Sequence, residues 1–193
     1  MFSALAWMVS PIPAMALPQS NQIEFSNCML ALPGTHMTAP ARCGTLEVAE
    51  NPADPAGRRI ELNIAVAPAT GKTTEPDPVF FFAGGPGQAA SETWVMIQST
   101  LRKIRKTRDI VMIDQRGTGS SNKLACHSEV EEDLNQEIDL DLIRIETEKC
   151  LAELDGDPRF YTTTIAMGDY NQVRQAMGYE KINIMGVSYG TRA

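Results

Sequence analysis

The stretch Gly186-Val187-Ser188-Tyr189-Gly190 has the residue types and spacing for nucleophilic chemistry. It follows the apolar run Ile182-Asn183-Ile184-Met185. A serine with glycines two positions before and after it, at the end of a short strand, predicts a sharp strand-to-helix turn with the hydroxyl at its tip. Side chains at those two glycine positions would collide with the crossing strand and helix, and Gly186 and Gly190 remove them. The following helix would point its first N–H groups and positive dipole end back at the site. That aims the amide of Tyr189 at an oxyanion formed by attack of Ser188. Taken alone, the five residues also fit an ordinary serine in a glycine-rich turn.

A second stretch, Gly84-Gly85-Pro86-Gly87-Gln88, suits the same chemistry. Glycines let backbone approach a substrate closely, and Pro86 stiffens the turn but has no N–H to donate. Gly85 is therefore the better second oxyanion donor and Gly87 the poorer one. A plain tight turn or a phosphate loop are the alternatives. The stretch lacks the Gly-Lys-Ser/Thr ending of a P-loop and fails the G-x-G-x-x-G spacing.

The elements around these stretches follow from periodicity. Residues 17–40 read as irregular, broken by Pro18, Pro33, Gly34 and Pro40. Residues 44–50 and 59–68 alternate apolar and polar as two strands, joined by the turn chemistry of 51–57 into an antiparallel hairpin. Val79 to Ala83 and Ile110 to Ile113 are continuously apolar, as strands buried on both faces are. Between them, 91–106 reads as one helix with Trp94, Ile97, Leu101 and Ile104 inward. Leu134, Ile138, Leu142 and Ile145 fit a helical stripe, and Glu129, Glu131, Glu132 and Asp133 a solvated first turn. Thr163 or Thr164 caps a further helix that turns Ala166, Tyr170, Val173 and Met177 inward and stops at Gly178. Asp169 and Arg174 are expected on its surface. Strand–helix–strand–helix–strand implies right-handed crossovers and a parallel sheet covered on both faces. In such sheets ligands bind at the carboxyl ends of the strands, where Ser188, the glycines after Ala83 and the loop after Asp114 all fall.

The chain has 193 residues, 43% hydrophobic and 21% charged, with net charge −7. We read no run of basic residues in it, and with the net charge this leads us to expect no nucleic-acid partner. No apolar stretch reaches the ~20 residues that span a bilayer, so no stable membrane anchor is expected. Residues 1–16 resemble an export signal, apolar and ending Ala14-Met15-Ala16, although the basic n-region is missing and Pro11 and Pro13 interrupt it. The expected organisation is a signal at 1–16, an irregular segment at 17–42 and one folded portion at 43–193. Cys28 with Cys43 and Cys126 with Cys150 are expected as local disulfides in a periplasmic or extracellular setting; four free thiols are the alternative. The spacings do not resemble a metal site, and no motif for an organic cofactor is present.

Taken together, Phe81 to Gln88, Asp109 to Ser121 and Gly186 to Arg192 resemble the α/β-hydrolase serine peptidases, most closely the proline iminopeptidase and tripeptidyl aminopeptidase family. The order of the three blocks carries the resemblance, with Tyr161-Thr162-Thr163 and Gly178-Tyr179-Glu180 in support. It implies an α/β-hydrolase fold and release of residues or short peptides from peptide N-termini. Ser188 carries over as nucleophile and Gly85 and Tyr189 as oxyanion donors. Gly84, Gly87, Asp114 and Arg116 carry over as support for the loops. Iminopeptidases often have histidine before the glycine pair, where this chain has Ala83, so the resemblance leans to the exported tripeptidyl branch. Family order places the triad aspartate and histidine after the serine. His36 and His127 both precede Ser188, so the base is expected beyond Ala193 and the chain alone inactive. An esterase of the same fold, or a non-catalytic piece that folds by pairing with its missing C-terminal half or a second chain, are the competing readings.

Overall fold

The computed structural model describes residues 23–126 and 139–193. The expected export signal, His127, the acidic cluster 129–133, Leu134 and Ile138 lie outside the described residues. A six-stranded sheet with the order β1-β2-β3-β5-β4-β6 carries the fold. β1 (Ser26–Ala31), β2 (Thr38–Ala49) and β3 (Arg59–Ala67) form an antiparallel meander. β3 pairs antiparallel with β5 (Ile110–Ile113), which runs parallel to β4 (Val79–Phe82) and, through it, to β6 (Asn183–Gly186).

The first hairpin corrects the expectation of an irregular 17–40. Pro33 and Gly34 mark only the turn, where Gly34 has φ +74°. Pro40 is tolerated inside β2 because β3 begins to pair only at Arg42, so the missing N–H forfeits no bond on that side. Cys28 and Cys43 are bonded across this hairpin, with Cα atoms 5.8 Å apart. Cys126 is bonded to Cys150, with Cα atoms 5.3 Å apart.

The sheet separates two cores. On one face Phe81 and Met112 pack with Trp94, Val95 and Leu101. On the other, Phe80, Phe82, Val111 and Ile113 meet Tyr170 and Val173. Helix α1 (Ala90–Ile97) covers the first face, but it is shorter than expected. Two 3-10 turns, Thr100–Arg102 and Ile104–Lys106, replace its second half, which leaves Ile104 exposed. Helix α2 (Leu140–Glu153) buries no residue, so Leu142 and Ile145 do not form the inward stripe expected of them. Helix α3 (Thr163–Ala176) covers the second face through Ala166, Tyr170 and Val173. Its cap is Thr162 rather than Thr163 or Thr164. It stops at Gly178, φ +74°, as expected. The Phe82 and Tyr170 rings stack at 4.4 Å, and the Tyr170 hydroxyl donates to the last carbonyl of β5, that of Ile113. These contacts hold α3 against the carboxyl ends of β4 and β5.

Candidate active site

β6 leaves the sheet at Gly186, and the chain reverses through Ser188 into a 3-10 turn, Ser188–Thr191. Ser188 is exposed and has φ +52°, a left-handed conformation that costs a non-glycine residue about 1–3 kcal/mol. The flanking glycines make that bend possible. A Cβ on Gly186 would stand 2.6 Å from the carbonyl carbon of Gly190 and 2.8 Å from the amide of Thr191. A Cβ on Gly190 would stand 2.7 Å from the carbonyl oxygen of Ala83. The sequence's steric reading of both positions therefore matches the backbone, and the second clash joins the turn physically to the loop after β4.

That loop faces the serine. A Cβ added to Gly84 would lie 3.2 Å from Cβ of Ser188 and 2.8 Å from Oε1 of Gln88. Gly84 is buried there, whereas Gly85, Pro86, Gly87 and Gln88 are exposed. Gly85 and Gly87 have φ +103° and +106°. Tyr189 follows Ser188 in the first turn of the 3-10 segment, where backbone N–H groups have no intrahelical acceptor. Its hydroxyl shares a hydrogen bond with Oγ1 of Thr163, so the turn after β6 is tied to the start of α3. Gly84, Gln88, Gln115, Thr118 and Tyr189 line a cavity of about 10 Å³, room for one water.

The loop after β5 is anchored by two buried charges. Asp114 is 1% exposed. Its Oδ1 accepts the backbone N–H of Ser91 at 2.9 Å, and its Oδ2 accepts the Ser91 hydroxyl and the Asn63 amide, each at 2.9 Å. A carboxylate on the first N–H groups of α1 complements the helix dipole. It also fixes the end of the glycine loop, which runs directly into α1. Arg116 has a fully buried side chain and uses all five of its N–H donors. It forms a bidentate pair with Asp169 at 2.6 and 2.7 Å. It also donates to the carbonyls of Glu50 at 2.7 Å, Phe160 at 3.0 Å and Ala49 at 3.2 Å. Asp169, expected on the α3 surface, is instead 2% exposed. Burial disfavours its charge and raises its pKa despite the guanidinium beside it. Arg174, half-buried, donates to the Tyr179 carbonyl just past the end of α3.

Sequence reading missed Glu50, which is 5% exposed. It accepts from the Tyr161 hydroxyl at 3.0 Å and the Asp157 N–H at 3.1 Å. Burial, with Glu50 second, pushes Tyr161 up to about 12, so it remains a neutral donor. Gln88, quoted in the glycine stretch without a role, lines the cavity, and Thr163, expected only as a helix cap, holds the Tyr189 hydroxyl. His36 sits exposed in the β1–β2 turn. β2 runs parallel to β4–β6 and starts at that turn, so His36 lies at the amino end of the sheet. It is also four to five strand spacings from β6, roughly 20 Å across the sheet alone. The structure does not bring it to Ser188. Among the described residues no cluster of His, Cys, Asp and Glu could hold a metal ion, and no helix is long and apolar enough to cross a membrane.

A mixed sheet with a strained serine between two steric glycines, opposite a glycine loop at the carboxyl edge of its parallel strands, defines a class. A sequence model described as the alpha/beta hydrolase fold matches residues 77–192, and the chain belongs to that family. Within it, the chain is similar to the serine protease Hip1 of Mycobacterium tuberculosis, 29% identical over 92% of this chain and 37% of that protein. It is also similar to the tripeptidyl aminopeptidase of Streptomyces coelicolor, 26% identical over 81% of this chain and 32% of that one. A crystal structure of proline iminopeptidase from Mycobacterium smegmatis superposes with TM-score 0.46 at 19% identity, covering 77% of this chain and 36% of that one. The chain thus spans about a third of the length of the curated relatives it matches.

Proposed function

We propose that this chain is the N-terminal portion of an exported serine aminopeptidase that acts through an acyl-enzyme on Ser188. The observation that carries the reading is the strained Ser188 turn, φ +52°, set against Gly84 with only a Cβ's width between them. A substrate carbonyl attacked by Oγ would develop its negative charge between the two loops. The amides of Tyr189 and Gly85 are the donors proposed for it, and losing one such donor costs about 3–4 kcal/mol of barrier. Gly84 leaves room for the approach, while Gly87 lets the loop turn back. Asp114 and Arg116 hold the loops by hydrogen bonds rather than by touching substrate. The serine needs a base to be a competent nucleophile at neutral pH. His36 is at the wrong end of the sheet. We assign the base to a histidine and its orienting acid to an aspartate, both following Ser188 in a longer form, the aspartate first. Peptides with free N-termini are the proposed substrates, supported by the names of the relatives. Export is supported by the two disulfides.

The test uses the full-length protein. A fluorophosphonate probe should label Ser188, and tripeptide-leaving peptide substrates should turn over faster than blocked ones. Aryl-ester turnover without peptide turnover would replace the peptidase reading with an esterase. Absence of labelling would remove Ser188 from the mechanism.

A further inference from the structure

The opposite end of the sheet carries a feature that the acidic balance of the chain hides. Lys72, Arg102, Lys103, Arg105 and Lys106 come from two connections that lie side by side. The N–H groups of Thr70 and Gly71 donate to the carbonyls of Arg105 and Lys106 at 2.8 and 3.0 Å. The expectation of no basic run is thereby corrected: Arg102, Lys103, Arg105 and Lys106 already fall together in the sequence, and the loop after β3 adds Lys72 to them. Among the described residues none of these five has an ion-pair partner, whereas Arg108 next to them is paired with Asp77. Arg102, Lys103, Lys106 and Lys72 are exposed. Arg105 is held in place through Pro68 and lies over the Trp94 ring at 5.8 Å.

Apolar side chains stand among these cations. Met37 is 47% exposed, Met96 46% and Ile104 39%. Met37 and Met96 line an open hollow of about 420 Å³ together with Arg102 and Arg105. Unbranched methionines beside unpaired cations fit a boundary that is anionic outside and apolar beneath, where basic residues meet headgroups and apolar ones enter the acyl edge. The groups come from the tips of three connections, 32–37, 69–75 and 96–106, all at one end of the sheet. They spread over an end face, unlike the single groove that would seat a peptide.

We propose that this end is a docking surface for an anionic lipid bilayer. Charge complementarity sets the orientation, because the remainder of a chain with net charge −7 is repelled by the same surface. Ser188 lies at the other end of the parallel strands, so a protein docked this way presents its candidate active site away from the lipid. The contact is peripheral and salt-sensitive.

The experiment is vesicle flotation of the full-length protein with phosphatidylcholine alone or mixed with phosphatidylglycerol. Binding is expected only to the mixed vesicles and is expected to vanish at about 0.5 M salt. The triple variant Arg102→Gln, Lys103→Gln, Lys106→Gln should lower the partition coefficient on the order of 100-fold, at about fivefold per basic residue. A control with the same charge change elsewhere, Lys123→Gln, Arg144→Gln, Lys149→Gln, should bind as the parent does. The pair Met37→Ser, Met96→Ser should weaken binding without altering its salt dependence. Equal flotation of the two triple variants, equal binding to neutral vesicles, or no flotation of the parent would each overturn the proposal. So would capture by polyglutamate in place of vesicles. Hydrolytic turnover of soluble substrate should be the same in all variants, which separates this result from the fate of the Ser188 reading.

Discussion

The two loops that frame Ser188 are built on opposite terms. The loop after β4 is exposed from Gly85 to Gln88, and among the described residues its side chains make no hydrogen bond. The loop after β5 buries Asp114, Arg116, Thr118 and Ser121 and spends its polar groups on β2, β3, α1 and α3. The second loop fixes where the first one ends, because Asp114 holds the start of α1. A charge at a sheet's carboxyl edge can thus belong to the scaffold.

This contrast is sharpest for substitutions that separate turnover from stability. Ser188→Ala in the full-length protein should reduce hydrolysis by at least about 10⁴-fold, as loss of a nucleophile does, with no loss of thermal stability. Residual activity near the parent's, measured with active-site titration to exclude contaminants, would end the nucleophile assignment. Arg116→Met should do the reverse. It strands the Asp169 carboxylate in the interior and should cost about 3–5 kcal/mol in urea unfolding. The double variant Arg116→Met, Asp169→Asn should recover part of that loss, because no bare charge then remains. Failure to recover any would mean that the three backbone carbonyls, not the ion pair, dominate.

How much of this was readable in advance depended on distance along the chain. The Ser188 turn and the Gly84 loop are local patterns, and their steric logic is complete within a few residues of sequence. β4 and β5 were legible because both faces are buried and nothing polar interrupts them. β1 was not: Pro33, Gly34 and Pro40 look like breakers, and only the β3 register shows why Pro40 is harmless there. Asp169 looked like a surface acid because its partner Arg116 lies 53 residues earlier. The 3-10 turns after α1 are tied by the Thr70 and Gly71 amides to the carbonyls of Arg105 and Lys106, an anchor from 35 residues earlier that no local pattern contains.

A third substitution asks how closely the glycine loop must approach. Gly84→Ala places a methyl group 3.2 Å from Cβ of Ser188 and against the Gln88 amide, so the loop must yield by tenths of an ångström. The expectation is a fall in kcat/KM of up to about 100-fold, the scale of a small misplacement of catalytic groups, with stability nearly intact. A variant at parent activity would show that the loop has slack and that the steric reading of Gly84 is too strict.

The smallest effect tests the serine's own backbone. Ser188→Gly and Ser188→Ala should be equally inactive, since both lack the hydroxyl. They differ in what φ +52° costs. Alanine retains the Cβ that makes this region unfavourable, whereas glycine enters it freely but has more unfolded-chain freedom to lose. At an ordinary position the second term makes glycine the less stable by about 0.4–1 kcal/mol. Here relief of about 1–3 kcal/mol of strain should outweigh it, leaving Ser188→Gly more stable than Ser188→Ala by about 1 kcal/mol in chemical denaturation. If alanine is instead the more stable, the turn relaxes when the hydroxyl is removed. The strain would then belong to the serine's interactions and not to the sheet that bends it.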